Sequence, residues 1–340
     1  MFVAHRHSVR GGRLLTAGLT VVVAAALTVA AASQTTKLRL VSTAWPPFTN
    51  APGQARFALD LVEAGLGRIG LASTTTIVSA GQFTTALLEG PFEGSAAAWK
   101  DAARERALLF SQPYLENRLI LVGRRGSDVA ATKLTDLRGK RIAIVEGYAY
   151  GDGVDLTGPV FVRTASEEQC LEQLLASKVD YMLMDALVIE YLTTHHATEA
   201  KTRLQFGRAP LLVRPLYFAV RRTLPDAAGI IDRFNAQLRN MIADRTYHRL
   251  LHVDWIVADV DGDGLPEYVP KSDEAGSVAP ERAYSITVMP EAKAAGTPRF
   301  YLGGKVYDTW SEVPDSYKVS PGGAKDPSQS TITYFRFSWK

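Results

Sequence analysis

Ala98-Trp99-Lys100-Asp101-Ala102-Ala103-Arg104-Glu105-Arg106-Ala107-Leu108-Leu109-Phe110-Ser111-Gln112-Pro113-Tyr114 is the stretch on which the fold turns. It lies between two strand-like segments and carries the Arg104 guanidinium into a loop. A guanidinium is a rigid fork of donors that matches a carboxylate, so one arginine at the edge of a cleft can orient a small anion. Taken alone, the same residues also read as a solvated helical turn leading through Phe110 to Tyr114 into a strand. The surroundings decide between these readings.

Upstream, Leu38 to Ser42 is strand-like and runs into Trp45-Pro46-Pro47-Phe48, where two prolines stiffen a loop that holds two aromatics. Phe57-Ala58-Leu59-Asp60-Leu61-Val62-Glu63-Ala64 begins a helix, because its apolar residues recur at helical spacing. Downstream come Leu119 to Val122, then Leu134 to Tyr148 with the strand-like core Arg141 to Val145, then Lys178-Val179-Asp180-Tyr181-Met182-Leu183-Met184-Asp185. Strand signals at Leu38 to Ser42, Thr75 to Val78 and Leu119 to Val122, and again at Arg141 to Val145, Val160 to Val162, Tyr181 to Met184 and Leu216 to Val220, alternate with helical stretches. Those stretches include Ser166 to Ala176, Ala186 to Thr194 and Ala227 to Ala243. This alternation defines an α/β class.

In this order the segments resemble the extracytoplasmic solute-binding proteins of family 3, the amino-acid-binding type, over Lys37 to Trp255. The resemblance implies a two-lobed α/β fold of the type II periplasmic binding protein kind. Residues 37–122 and 216–255 would form a discontinuous first lobe and 123–215 the second. The chain would cross between them near Leu121 and Leu216, with the ligand cleft between the lobes and closure about the hinge on binding. Residues 256–340 would add an acidic loop and a small β-rich extension.

Carried over residue by residue, the resemblance places Arg104 on the α-carboxylate of a ligand and Asp185 on its α-amino group. Trp45, Phe48, Trp99 and Tyr148 would form the pocket wall. An Arg from one lobe and an Asp from the other would each be neutralised only when the cleft closes on a zwitterion. Asp185 also reads as the N-cap of the helix that follows it, and the aromatics also read as lobe core. The chain departs from the family at Arg56 and Ala58, where Gly and Asp are usual, while keeping Phe57 and Asp60. Trp99 to Ala103 lacks the hydroxyl residue and the Pro-Glu that usually precede the Arg, and Asp101 adds a negative charge beside it. These departures point away from an ordinary α-amino acid, towards a more cationic or otherwise different small polar ligand.

The first 33 residues read as a secretory signal peptide, with an uncleaved membrane anchor as the alternative. Arg6, Arg10 and Arg13 precede an uncharged stretch from Leu14 to Ala32 that ends in small residues, and no cysteine lies near that exit. Cleavage there would leave a chain located in the periplasm, with no membrane span. Removing the three arginines brings the formal charge of +3 to zero, so no net positive charge remains on the mature chain to favour nucleic acid. The 46% hydrophobic and 21% charged content is that of a globular protein with a sizeable core. Cys170, the only cysteine, sits in an amphipathic helix and reads as a packed thiol.

Asp259-Val260-Asp261-Gly262-Asp263-Gly264-Leu265-Pro266-Glu267 places acidic residues at loop positions one, three, five and nine, with glycine at six, a pattern that suits a structural Ca²⁺. Pro270 stands where an EF-hand needs Glu, so the loop is closer to the calcium loops of FG-GAP-type repeats; a solvated acidic turn is the alternative. His248 and His252 stand four apart but lack both the metalloprotease Glu and a third ligand, which argues against zinc. Tyr301 to Tyr307 reads as a hairpin turned on Gly303-Gly304, and Thr331 to Trp339 as a terminal strand. The leading functional expectation is a non-enzymatic, monomeric receptor that hands a small polar solute to an ABC-type permease. An enzyme of the dehydratase kind on the same fold would need a general acid of raised pKa in the cleft, for which Glu146 is the candidate. A sensory or accessory subunit would use the extension as its docking surface.

Overall fold

The computed structural model describes residues 37–195, 202–251, 255–261, 263–273, 284–285 and 299–318. The segment read as an export signal, His252 and the strand read at Thr331 to Trp339 lie outside the described residues. One sheet of nine strands runs through the main body. Its first half consists of β1 (Lys37–Thr43), β2 (Ala72–Val78) and β3 (Gly94–Ala98), with β1 parallel to both neighbours. Its second half consists of β6 (Arg141–Val145), β7 (Val160–Thr164) and β8 (Tyr181–Asp185), with β6 parallel to both neighbours.

Two strands join the halves: β5 (Leu115–Arg124) and β9 (Leu204–Arg221) form a long antiparallel ribbon. β9 pairs with β3 and with the short β4 (Leu108–Phe110) at its C-terminal end, while β5 pairs with β8 from Leu119 onward. The chain therefore passes twice between the halves on hydrogen-bonded strands rather than on free loops. β9 begins well before Leu216, the start expected from sequence. Pro210 and Pro215 obscure the pattern, yet both are accommodated opposite Ile120 and Glu116, with register shifts in β5 beside Ile120.

The helices bury their apolar faces on this sheet. In α1 (Phe57–Arg68), Phe57, Ala58, Leu61, Val62, Gly65 and Leu66 are buried at helical spacing, and Phe234 of α6 (Ala227–Ala243) lies against Gly65. Helices α2 (Ala80–Glu89) and α3 (Ala102–Ala107) belong to the first half, α4 (Glu167–Leu175) and α5 (Ala186–His195) to the second. Ser166 caps α4 by accepting from the Gln169 N–H, as its Ser-Glu-Glu start suggests. Cys170 is fully buried, and burial pushes its thiol up to about 12, so it packs rather than reacts.

A second sheet, ordered β12-β10-β11-β13-β14, forms the extension: β10 (Trp255–Ala258), β11 (Glu267–Pro270), β12 (Tyr284–Ser285), β13 (Arg299–Leu302) and β14 (Lys305–Tyr307). Gly303 and Gly304, at φ 56° and 76°, make the turn read from the sequence, a conformation that favours glycine twice in succession. Ile256, Ala258 and Val269 join the same core as Leu251 of α7 (Thr246–Leu251), and His248 Nε2 bonds the Val269 carbonyl at 2.9 Å. Among the described residues no helix is long and apolar enough to cross a membrane.

Candidate functional site

The aromatic residues singled out in the sequence meet where the two halves face each other. Trp45 lies 4.3 Å from Phe48, and edge-on to Trp99 at 5.4 Å and to Tyr148 at 5.7 Å, measured between ring centroids. Trp99 packs in turn on Tyr148 and Tyr150, with its indole N–H donated to Asn117 Oδ1 at 2.8 Å. Phe48 is wholly buried against Phe57 and belongs to the core of the first half. Tyr150, not anticipated from sequence, accepts the Val145 N–H on its hydroxyl at 3.0 Å.

Arg104 sits on α3 with only 2% of its surface exposed. Its N–H is capped by Asp101, whose carboxylate also lies 3.7 Å from Nε. Nη1 donates to the Trp99 carbonyl at 3.2 Å; Nη2 donates to the Gly147 carbonyl at 2.8 Å and to Thr84 Oγ1 at 3.0 Å. Burial lowers its pKa from the ordinary guanidinium value, with Asp101 opposing that shift. The cavity beside it, lined by Trp45, Trp99 and Tyr148 among others, measures about 20 Å³, enough for one water. In this closed arrangement Nη2 and one Nη1 hydrogen are taken by the protein's own oxygens, while the buried Nε makes no hydrogen bond.

Gly147 makes that closure possible. It has φ +77°, and a Cβ there would stand 2.7 Å from the Ala80 carbonyl oxygen across the cleft. Further bonds cross the same gap: Thr43 Oγ1 to Tyr148 Oη at 3.3 Å, the Ala102 N–H to Asp152 at 3.1 Å, and the Trp45 indole N–H to Glu167 Oε1 at 2.9 Å.

Asp185 ends β8 and caps α5. Oδ1 accepts from the Leu187 N–H at 2.7 Å, and Oδ2 from the Arg118 N–H at 2.9 Å and from Asn117 Nδ2 at 3.2 Å. It is 1% exposed, and burial pushes its carboxyl up to about 7 despite these bonds. It lines neither cavity of the cleft, so the structure supports the capping role and brings no open carboxylate to a ligand amine.

The larger opening lies elsewhere in the cleft, a cavity of about 400 Å³ walled by both halves. Thr43, Trp45, Asn50, Val78 and Ser79 line it from the first; Tyr148, Glu167, Glu168, Met184, Val188 and Tyr191 line it from the second. Burial pushes the half-buried Glu167 carboxyl up to about 8, the Trp45 N–H pulling the other way. The sequence shows α4 and its Ser166 cap, but the turn of that helix which meets the cleft follows from how β7 and β8 pack. Glu146 is exposed and lines neither cavity.

The acidic loop joins β10 to β11. Carboxylate oxygens of Asp259, Asp261 and Glu267 lie within 4.8 Å of one another, and Gly264 takes φ +85° beneath them, its N–H donated to Asp259 at 2.9 Å. Hard carboxylate oxygens suit Ca²⁺. Yet Arg299, from β13, pairs with Asp263 at 2.9 Å, with Asp261 at 3.5 Å and with the fully buried Glu267, whose other oxygen accepts from the Val260 N–H. The chain thus supplies a cation of its own to this loop, which a bound ion would have to displace or whose repulsion it would have to accept.

Solved structures share the architecture. An ancestral arginine-binding protein bound to arginine matches with a TM-score of 0.53 at 21% identity, over 63% of this chain and 96% of its own. The GluR0 ligand-binding core from Nostoc punctiforme, in complex with L-glutamate, gives 0.52 at 22% identity, over 63% and 96%. An ancestral amino-acid-binding protein described as a precursor of cyclohexadienyl dehydratase gives 0.51 at 20%, over 63% and 93%. No family model and no curated protein matches the chain. At these identities the likeness establishes the fold: a two-lobed α/β fold of the type II periplasmic binding protein kind, with a separate C-terminal β-sheet.

Proposed function

We propose that this chain is an exported receptor that closes its two lobes on a small polar solute and delivers it to an ABC-type permease. The observation that carries this reading is the cavity of about 400 Å³ walled by both halves, with hydrogen bonds crossing the cleft around it. A site built from two halves of one hinged sheet is formed only on closure, so solute binding can be linked to a shape that a partner reads. The arginine- and glutamate-bound neighbours support a small polar solute as cargo. A thermal-shift panel of amino acids, amines and organic acids tests it: a hit that raises the melting temperature and is recovered unchanged is expected, and turnover of every hit would sink the receptor reading.

An enzymatic reading on the same fold gains support from Glu167, whose raised carboxyl in the cavity meets the need for a general acid better than the exposed Glu146. It would show as product formation abolished in Glu167→Gln.

A further inference from the structure

The cavity of about 400 Å³ has walls of one electrical sign. Among the described residues, Glu167 and Glu168 are the only charged ones that line it, and no described lysine, arginine or histidine does so. Glu167 Oε1 is held by Trp45, while Oε2 takes no hydrogen bond from a described residue. Around the carboxylates stand the aromatic rings of Trp45, Tyr148 and Tyr191 and the apolar chains of Val78, Met184 and Val188. The N-terminus of α4 opposes their charge, but by about half an elementary charge at most, and the Ser166 cap already takes part of it. Arg104, the guanidinium on which an anion reading rests, does not reach this cavity and is engaged with Gly147, Thr84 and Trp99.

From this arrangement we propose that the cleft takes an organic cation with a compact apolar body, its ammonium group held against Glu167 and Glu168 and its body between Trp45, Tyr148 and Tyr191. The proposal rests on the receptor reading and assigns its solute class. A carboxylate ligand would meet two carboxyl groups and no countercharge from a described residue; a cation gains the ion pair, and aromatic faces attract ammonium groups further. Trp45 comes from one lobe and Glu167 from the other, so a ligand that holds both also holds the cleft shut.

Cation binding is also linked to protonation. Burial favours the neutral Glu167 carboxyl, and the charges that face it, Glu168 on its own helix and Asp185 at the end of β8, favour it further; the loop after β1 contributes Trp45 and no charge. A bound cation reverses that balance, so affinity rises with pH.

Isothermal titration of the whole chain decides the matter, with benzyltrimethylammonium, whose charge does not titrate, phenethylamine, and the uncharged 2-phenylethanol, beside L-glutamate, L-arginine and benzoate. Both cations are expected to bind at least tenfold more tightly than 2-phenylethanol. Benzyltrimethylammonium should tighten between pH 6 and 9, and should weaken at least tenfold in Glu167→Gln but not in Glu146→Gln, whose exposed carboxyl lies outside the cavity. Equal affinity for cation and alcohol in the parent chain overturns the proposal, and that comparison needs no variant. Binding of glutamate or benzoate without the cations overturns it while keeping the receptor reading; silence from every probe overturns both.

Discussion

Trp45 donates its indole N–H to Glu167 Oε1 across 2.9 Å, and this bond ties the loop after β1 to the first turn of α4 on the other side of the cleft. Trp45 is 6% exposed, so water competes weakly for either partner. A bond of this kind contributes about 0.5–1.5 kcal/mol net. Trp45→Phe keeps an aromatic ring against Trp99 and Tyr148 while deleting the donor. The expected result is a urea midpoint lowered by an amount worth about 1 kcal/mol, more if the unpaired carboxyl stays buried, with the slope unchanged. A parental midpoint would mean that the bond contributes nothing to closure.

Two carboxyls make stability fall as pH rises. Asp185 and Glu167 have pKa values raised to about 7 and about 8, so between the ordinary carboxylate range near 4 and those values the folded chain holds protons that the unfolded chain has released. Their stabilising contribution is therefore fully present below about pH 4 and is lost as pH rises through the folded values. The slope for one such proton is about 1.4 kcal/mol per pH unit, applicable to the buried Asp185 and smaller for the half-buried Glu167. Asp185→Asn keeps a capping oxygen for the Leu187 N–H but cannot titrate. Urea denaturation from pH 4 to 7 should show a shallower decline in Asp185→Asn than in the parent; parallel declines would assign the slope to other groups.

The strands and helices of the two halves were legible because each carries its own period: Leu38 to Ser42, Arg141 to Val145 and Tyr181 to Met184 are short apolar runs, and Phe57 to Ala64 repeats at helical spacing. β9 was legible only in its last third, since Pro210 and Pro215 look like breakers until β5 is laid beside them. Arg104, Trp45, Trp99 and Tyr148 were found and do converge, but the partners that occupy Arg104 were not: Gly147 lies beyond three intervening strands, and its carbonyl carries no side-chain signal. Glu167 was missed for a related reason. An acidic residue in a helix's first turn is ordinary capping chemistry, and only the packing of α4 against the cleft turns it towards a cavity.

Gly147 should govern how far the lobes close. Alanine there must hold φ near +77°, at a cost of about 1 kcal/mol, and place its Cβ against the Ala80 carbonyl. The contact with Ala80 is relieved if the lobes part. Small-angle scattering is expected to give a larger radius of gyration for Gly147→Ala than for the parent, and Arg104→Ala, which removes the donor to the Gly147 carbonyl across the cleft, should shift it in the same direction. Unchanged radii in both variants would show that the cleft is held shut by other contacts.

Arg299 sets the cation preference of the acidic loop. Its guanidinium pairs with Asp261, Asp263 and Glu267, so Ca²⁺ must displace it or accept its repulsion; two unit charges about 4 Å apart in partly screened surroundings interact by about 4 kcal/mol. Arg299→Gln removes the charge and keeps the carboxylate oxygens of Asp259, Asp261 and Glu267 within 4.8 Å of one another. That variant should bind Ca²⁺ at least about tenfold more tightly than the parent by isothermal titration, since even a third of the repulsion equals a factor of ten. Adding Ca²⁺ should then recover the melting temperature that the substitution lowers, because an ion bound only by the folded loop stabilises it by mass action. Asp261→Asn in the same background should abolish the heat. If Arg299→Gln binds Ca²⁺ no better than the parent, the loop is a hairpin braced by its own arginine, and its acidic spacing serves that brace alone.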